Sequence, residues 1–102
     1  MSPSPLEIKT SALTRLLKEE KLYQQELKDQ ESHIASMKAQ NADPYELKKQ
    51  VEVLDDTKRV IPELKKKISE MAQSLEDFLK TYDGAEDVTS AKEKLEEVKK
   101  FL

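Results

Sequence analysis

The sequence predicts an all-α fold: an antiparallel three-helix bundle with two long helices, a shorter third helix and coiled-coil-like packing. Three observations support this prediction. Apolar residues recur in alternating steps of three and four along most of the 102 residues, which is the spacing of one helix face. Charged residues make up 38% of the chain, so the apolar stripes are narrow. The chain contains one glycine, too few for a fold rich in turns.

The first predicted helix spans residues 5–39. Ser4 can cap it, Pro5 suits its first turn, and Glu7 completes a capping box three residues after Ser4. Glu20 occupies a position within the apolar row of this helix. The row consists of Leu6, Leu13, Leu16, Tyr23, Leu27, Ile34 and Met37, and it is expected to be widened by Leu17 and Leu22.

The second predicted helix spans residues 43–82 and follows a connector at residues 40–42 that is short enough to make the two helices antiparallel. Asp43 can cap this helix, and Pro62 should kink it near its middle. Two apolar rows indicate two neighbouring helices. The first row is Leu47, Val51, Leu54, Ile61, Ile68, Ala72, Leu75, Leu79 and Tyr82, and the second is Val53, Val60, Leu64, Met71 and Phe78.

The third predicted helix spans residues 86–101 and completes a single domain over residues 1–102. Gly84 is expected to take the left-handed conformation that closes the second helix. Glu86 and Asp87 supply negative charge where the third helix begins. Its apolar row is Val88, Ala91, Leu95, Val98 and Leu102, with Phe101 alongside.

The third helix is too short to cover the whole hairpin of the first two. About 16 helical residues extend roughly 24 Å, whereas the second helix extends roughly 60 Å. The end of the hairpin near the connector should therefore keep only two helices, and Val53 and Val60 should lack a third neighbour there. Exposed apolar patches on small proteins commonly mark interfaces, so we predict the partner or dimer surface at this end.

Composition excludes several classes of function. The 18 basic and 21 acidic residues are interspersed and give a net charge of −3, so nucleic-acid binding has no electrostatic support. No apolar run approaches the length of about 18 residues that a membrane span needs. There is no cysteine and no secretory signal pattern. A cytoplasmic protein is the resulting expectation.

No constellation in the sequence predicts catalysis or a bound cofactor. His33 is the only histidine, and a metal site needs several converging ligands. The adjacent carboxylates of Asp55 and Asp56, and of Glu96 and Glu97, point about 100° apart on a helix and do not converge. One glycine cannot form a phosphate-binding loop. We therefore expect no enzyme, no metal and no cofactor.

Several short stretches nevertheless resemble one family. In the first helix these are Ile8-Lys9-Thr10, Arg15-Leu16, Lys18-Glu19 and Tyr23; in the second they are residues 43–50, Val53-Leu54 and Ile61-Pro62. In this order, over about residues 6–80, they resemble the tubulin-binding cofactor A family. The Ile-Pro pair inside a continuous helix is the most specific element.

The resemblance implies a three-helix, post-chaperonin cofactor that holds β-tubulin for transfer to other tubulin-folding cofactors, which assemble the αβ heterodimer. It implies a cytoskeleton-associated protein without nucleotide chemistry, and it leaves both a monomer and a homodimer open. The alternatives are a generic coiled-coil assembly or tethering module and, less well supported by the mixed charges, a membrane-surface protein. Residues that match the family stretches outside the apolar rows are the predicted partner-binding set: Arg15, Lys18, Glu19, Tyr45, Lys48, Lys49, Gln50 and Arg59.

Overall fold

The chain forms a long antiparallel bundle of three helices. A computed structural model describes residues 2–102, except for the side chain of Phe101, so the predicted place of that side chain beside the third row lies outside the described residues. Helix α1 spans Pro5–Ala39, α2 spans Pro44–Lys80 and α3 spans Thr89–Phe101. The Cα atoms extend over 62 × 28 × 17 Å. Within residues 2–102 there is no strand, and the all-α prediction is confirmed.

The turn between α1 and α2 depends on one left-handed residue, Asn41, with φ of 55°. The N–H of Asn41 donates to the carbonyl of Lys38 at 3.2 Å, and the N–H of Ala42 donates to that of Met37 at 2.9 Å. This pair of bonds is the Schellman arrangement, which satisfies carbonyls at a helix end. It reverses the chain within three residues, because the left-handed conformation turns the backbone sharply.

Asn41→Ala should lower the free energy of unfolding by about 1 kcal/mol, because alanine tolerates the left-handed conformation less well than asparagine. Urea unfolding followed by circular dichroism measures the change. Gln40→Ala is the matched control, since Gln40 has φ of −93° and its substitution should stay within about 0.5 kcal/mol. Equal losses in the two variants would contradict the importance of the left-handed residue.

The end of α2 differs from the prediction. The helix stops at Lys80 rather than residue 82, and Gly84 does not have a positive φ. The ring of Tyr82 instead folds back on Phe78, with centroids 5.4 Å apart, and its hydroxyl accepts a hydrogen bond from the N–H of Glu86 at 3.2 Å. A Cβ atom at Gly84 would overlap the phenol of Tyr82. A larger residue at position 84 would therefore displace the Tyr82 ring, so glycine fits this position by its size and not by a left-handed turn.

The third helix begins at Thr89, three residues later than predicted. The Asp87 carboxylate accepts hydrogen bonds from the Thr89 hydroxyl at 2.6 Å and from the Thr89 N–H at 2.9 Å. These bonds, the hydroxyl first, lower the pKa of Asp87. Asp87 thus binds Thr89 from a position before the helix, and Glu86 is hydrogen-bonded to Tyr82. Residues 81–88 therefore remain a loop.

The main core lies where all three helices meet. Leu13, Ile68 and Leu75 are fully buried at its centre. All of its buried residues come from the first half of α1, the second half of α2, or α3: Leu6, Leu13, Leu17, Leu64, Ile68, Ala72, Leu75, Ala91 and Val98. Helix α3 therefore covers one half of the hairpin, as its length predicted.

Four positions depart from the predicted rows, and one of them is Leu102 at the end of the third row, which is 60% exposed. Leu22 does not widen the row of α1, since it is 61% exposed, and Val51 in the row of α2 is 36% exposed. Thr57, which belongs to neither predicted row, is buried instead, and its hydroxyl donates to the carbonyl of Val53 at 3.2 Å. A straight helix turns about 20° away from a seven-residue repeat in each repeat, which moves Val51 out of the contact and Thr57 into it.

An ion pair joins α1 to α3. The ammonium of Lys21 lies 3.0 Å from the carboxylate of Glu97, and the ammonium of Lys94 lies 3.4 Å from the same carboxylate. Lys21 lowers the pKa of the Glu97 carboxyl, Lys94 adds to that effect, and partial burial opposes it. The stabilisation is therefore present above the unfolded pKa of about 4.3 and is lost as pH falls through the lower folded pKa.

Lys21→Met should reduce the acid sensitivity of the fold. At pH 7 the variant should have a free energy of unfolding lower than that of the wild type by less than about 1 kcal/mol, because the pair is exposed. We expect this difference to shrink between pH 5 and pH 3. Urea titrations at several pH values measure this. Lys99→Met is the control, because the ion pair of Lys99 with Glu96, at 3.2 Å, lies within α3. A pH-independent deficit for Lys21→Met would contradict the expectation.

Candidate functional site

The half of the hairpin that α3 leaves uncovered presents apolar side chains to solvent. Tyr45 is 62% exposed and Val53 is 45% exposed, and Val51 is 36% exposed about 160° around α2 from Val53. Lys48 and Lys49 are exposed in the same two turns of α2. We call these five residues, Tyr45, Lys48, Lys49, Val51 and Val53, the connector-end surface. It arises because α2 continues for about five turns beyond the core that α3 completes.

Two residues of the connector-end surface hold each other in place. The ammonium of Lys49 lies 4.5 Å from the centroid of the Tyr45 ring, a cation–π contact worth about 0.5–1 kcal/mol at an exposed site. The Asp43 carboxylate accepts a hydrogen bond from the N–H of Tyr45 at 3.5 Å and so caps α2 just before this pair. An exposed tyrosine with a restrained ring loses little freedom when a partner covers it.

The structure brings together only part of the predicted partner-binding set. Tyr45, Lys48, Lys49 and Gln50 share the start of α2, although Gln50 is half-buried. Arg59 is exposed two turns further along, and its guanidinium lies 3.2 Å from the Asp56 carboxylate of the same helix.

Three other predicted residues lie elsewhere: Arg15, Lys18 and Glu19 are exposed on α1. Lys9 donates to Ser74 at 2.8 Å, which fixes the antiparallel register of α1 and α2. In that register, roughly 20 Å along the bundle separates Glu19 from Gln50, and roughly 30 Å separates it from the first residue of α2. The eight predicted residues therefore form two groups and not one patch.

Near the predicted set, the sequence did not predict the exposure of two apolar residues, Val51 and Leu22, because both were assigned to apolar rows that were expected to be buried. Leu22 and Tyr23 line a shallow cavity of 260 Å³ on α1 together with Glu19 and Glu26. The signal that could have identified Leu22 is its position, half a helical turn away from Leu13 and Leu17 on the 3.6-residue repeat. Both residues enlarge the apolar area near the predicted set.

The described residues were also searched for a metal site and for a membrane-spanning helix. Among residues 2–102, no three His, Asp or Glu side chains are placed to hold a metal ion. Within the same range, no helix combines the length and the hydropathy of a membrane span. His33 is exposed on α1. What the arrangement offers is a long, preformed surface with apolar and charged groups side by side, the composition of a protein-binding face.

The fold and this surface define a class: a small antiparallel helical bundle whose free helix faces are suited to binding another protein. Comparison with known proteins specifies the family. The family model described as tubulin binding cofactor A matches residues 1–100. The chain belongs to the tubulin-binding cofactor A family.

Individual relatives agree with this assignment. Tubulin-specific chaperone A of Saccharomyces cerevisiae is 55% identical over 103 residues, covering 100% of this chain and 97% of that protein. A solved structure described as Rbl2p, a β-tubulin binding post-chaperonin cofactor, is 55% identical with a TM-score of 0.89, covering 95% of this chain and 96% of that chain. Tubulin folding cofactor A from Arabidopsis thaliana is 32% identical with a TM-score of 0.83, covering 93% and 92%.

Proposed function

We propose that the chain is a tubulin-folding cofactor that binds β-tubulin after its release from the chaperonin and holds it until the αβ heterodimer is assembled. Family membership supports this proposal, as does the similar solved structure whose printed description is a β-tubulin binding post-chaperonin cofactor. The observation that carries the proposal is that a chain of this family exposes apolar side chains on a rigid helical hairpin.

The proposed mechanism is capture by a preformed surface. Binding orders few side chains, because the helices are already folded and Tyr45 is already held by Lys49. Tyr45 and Val53 would supply the buried apolar contacts, since aromatic residues are common anchors of interfaces. Lys48 and Lys49 would steer the encounter with acidic groups of the partner and set its orientation. The cofactor thereby covers apolar surface that would otherwise cause the bound subunit to aggregate.

The remaining predicted residues extend the proposal along the rod. Along the bundle axis, Arg59 lies between the connector-end surface and the α1 group of Arg15, Lys18 and Glu19. A partner as large as a tubulin subunit would have to reach around both helices to contact all of them. Other tubulin-folding cofactors would then receive the subunit at whatever surface remains free. A homodimer formed through the connector-end surface would compete with tubulin for the same residues.

The experiment mixes the purified chain with native tubulin and separates the products by size-exclusion chromatography. We expect the chain to remove β-tubulin alone from the heterodimer and to elute with it. No co-elution at concentrations well above micromolar would refute the proposed function. Light scattering on the same column measures the oligomeric state of the free chain, and a self-associated chain that ignores tubulin would point to an assembly module.

The contact surface is tested separately with matched variants. Tyr45→Ala combined with Lys49→Ala should weaken β-tubulin binding by about tenfold or more, because anchor residues of interfaces commonly contribute more than 1 kcal/mol each. Lys92→Ala combined with Lys100→Ala, on exposed positions of α3, should change affinity less than about twofold. Equal weakening by both pairs would remove the assignment of the connector-end surface while leaving the function intact.

Two further properties follow from this function. A protein that acts on tubulin subunits belongs in the cytoplasm, beside the cytoskeleton, and fluorescence microscopy of the tagged full chain tests that location. Holding a subunit needs no covalent chemistry, so we propose that the chain has no enzymatic activity and requires no nucleotide of its own. Tubulin capture at the same affinity in buffer depleted of added nucleotide is the expected result.

A further inference from the structure

The hydroxyl of Ser4 joins two segments that are far apart in the sequence. It donates to a carboxylate oxygen of Glu86 at 2.7 Å, and it accepts the N–H of Glu7 at 3.1 Å as the cap of α1. The other carboxylate oxygen of Glu86 accepts from the Tyr82 hydroxyl at 3.4 Å, and that hydroxyl accepts the Glu86 N–H. Ser4 therefore ends a chain of hydrogen bonds that fastens the loop of residues 81–88 to the start of α1.

The same serine lies in a sequence suited to covalent modification. Residues 2–5 read Ser-Pro-Ser-Pro, and a serine followed directly by proline is the dipeptide that proline-directed protein kinases accept. Ser4 has φ of −73° and ψ of 162°, the extended conformation that a following proline favours and that a kinase substrate groove takes up. Ser4 is half-exposed, and Glu86 is exposed. We propose that Ser4 is a phosphorylation site whose modification releases the loop of residues 81–88 from α1.

The reaction is an ordinary phosphoryl transfer with ATP and Mg²⁺ as the co-reactants. A bond forms between the Ser4 oxygen and the γ-phosphorus of ATP while the bond from that phosphorus to ADP breaks. The hydroxyl proton passes to the catalytic base of the kinase and then to solvent. The products are ADP and a phosphoserine with a charge of about −1.5 to −2 at pH 7.

Phosphorylation changes the two bonds of Ser4 in opposite ways. The phosphate has no hydroxyl left to donate to Glu86 and places like charge beside that carboxylate, so the bond is replaced by repulsion. The N–H of Glu7 can still donate to a phosphate oxygen, and the positive end of the α1 dipole favours an anion there. Helix α1 therefore stays capped, while Glu86 moves away and loses its bonds to Tyr82.

The first test asks whether Ser4 is a substrate. The full chain, a Ser2→Ala variant and a Ser4→Ala variant are incubated with a purified proline-directed kinase and ATP, and phosphate is located by mass spectrometry. We expect phosphate on Ser4 in the wild type and in Ser2→Ala, and none at that position in Ser4→Ala. Phosphate on Ser2 alone, or no phosphate in any protein, would overturn the proposal.

The second test measures release of the loop by amide exchange at residue 86, detected by NMR and corrected for intrinsic rates. In the Ser2→Ala background, phosphorylation of Ser4 should accelerate exchange about threefold to tenfold, the loss expected for one hydrogen bond. In Ser2→Ala combined with Glu86→Gln, the neutral amide can donate to the phosphate, so the change should stay below about twofold. Unchanged exchange, or equal acceleration in both proteins, would refute release by charge repulsion.

Discussion

Leu75→Ala should lower the free energy of unfolding by about 2–5 kcal/mol, the loss expected when a fully buried leucine is truncated. Leu75 is fully buried and belongs to the cluster to which all three helices contribute. Truncation would leave a cavity that rigid helices on three sides cannot fill by relaxing. Urea unfolding followed by circular dichroism at 222 nm measures the loss.

A second leucine provides the control for this prediction. Leu22 is 61% exposed, so Leu22→Ala should change stability by less than about 0.5 kcal/mol, although the sequence pattern assigned both leucines to helix contacts. Equal effects would contradict the described core.

We also propose that residues 1–102 unfold as one domain, in which case urea transitions followed by circular dichroism and by tyrosine fluorescence should coincide.

Pro62→Ala should raise the free energy of unfolding by about 1–3 kcal/mol. Helix α2 continues through Pro62 from Pro44 to Lys80, so the proline leaves the carbonyl of Lys58 without its helical donor and its ring crowds the preceding turn. Pro62 is exposed, and its removal therefore sacrifices little packing. The same urea titration measures the gain.

Lys66→Ala, one turn further along α2 and also exposed, is the control for Pro62→Ala and should change stability by less than about 0.5 kcal/mol. A loss of stability in Pro62→Ala would show that the fold depends on the proline. Affinity for β-tubulin provides a second measurement. Unchanged binding by a more stable variant would assign the proline to helix geometry alone, whereas weaker binding would assign it to the shape of the contact face.

Much of the fold could be predicted because helix formation and helix ends depend on nearby residues. Ser4 caps α1 as predicted, by accepting the N–H of Glu7. The burial of Leu13 and Ile68 follows from steps of three and four that any helix converts into a face. The uncovered end of the hairpin followed from helix lengths alone. Of the candidate site, Tyr45 and Lys49 are exposed at the start of α2, and their role in binding stays a prediction.

The incorrect predictions concern positions at which two local patterns compete. Both Val51 and Thr57 lie near the edge of the apolar row, and only the relative rotation of α1 and α2 decides which one is buried. Gly84 was expected to be left-handed because glycine usually is at helix ends, but the Tyr82 ring occupies its neighbourhood instead. The left-handed role falls to Asn41 at the other turn.

The class of fold, the antiparallel order of the helices and the open half of the hairpin follow from periodicity, capping and length, which can be read from the chain. Which distant side chains meet depends on how the helices pack. The bonds of Lys21 with Glu97 and of Ser4 with Glu86 join residues 76 and 82 positions apart. Such contacts depend on the rotation and register of packed helices to within a few ångströms, and no local pattern in the chain encodes them.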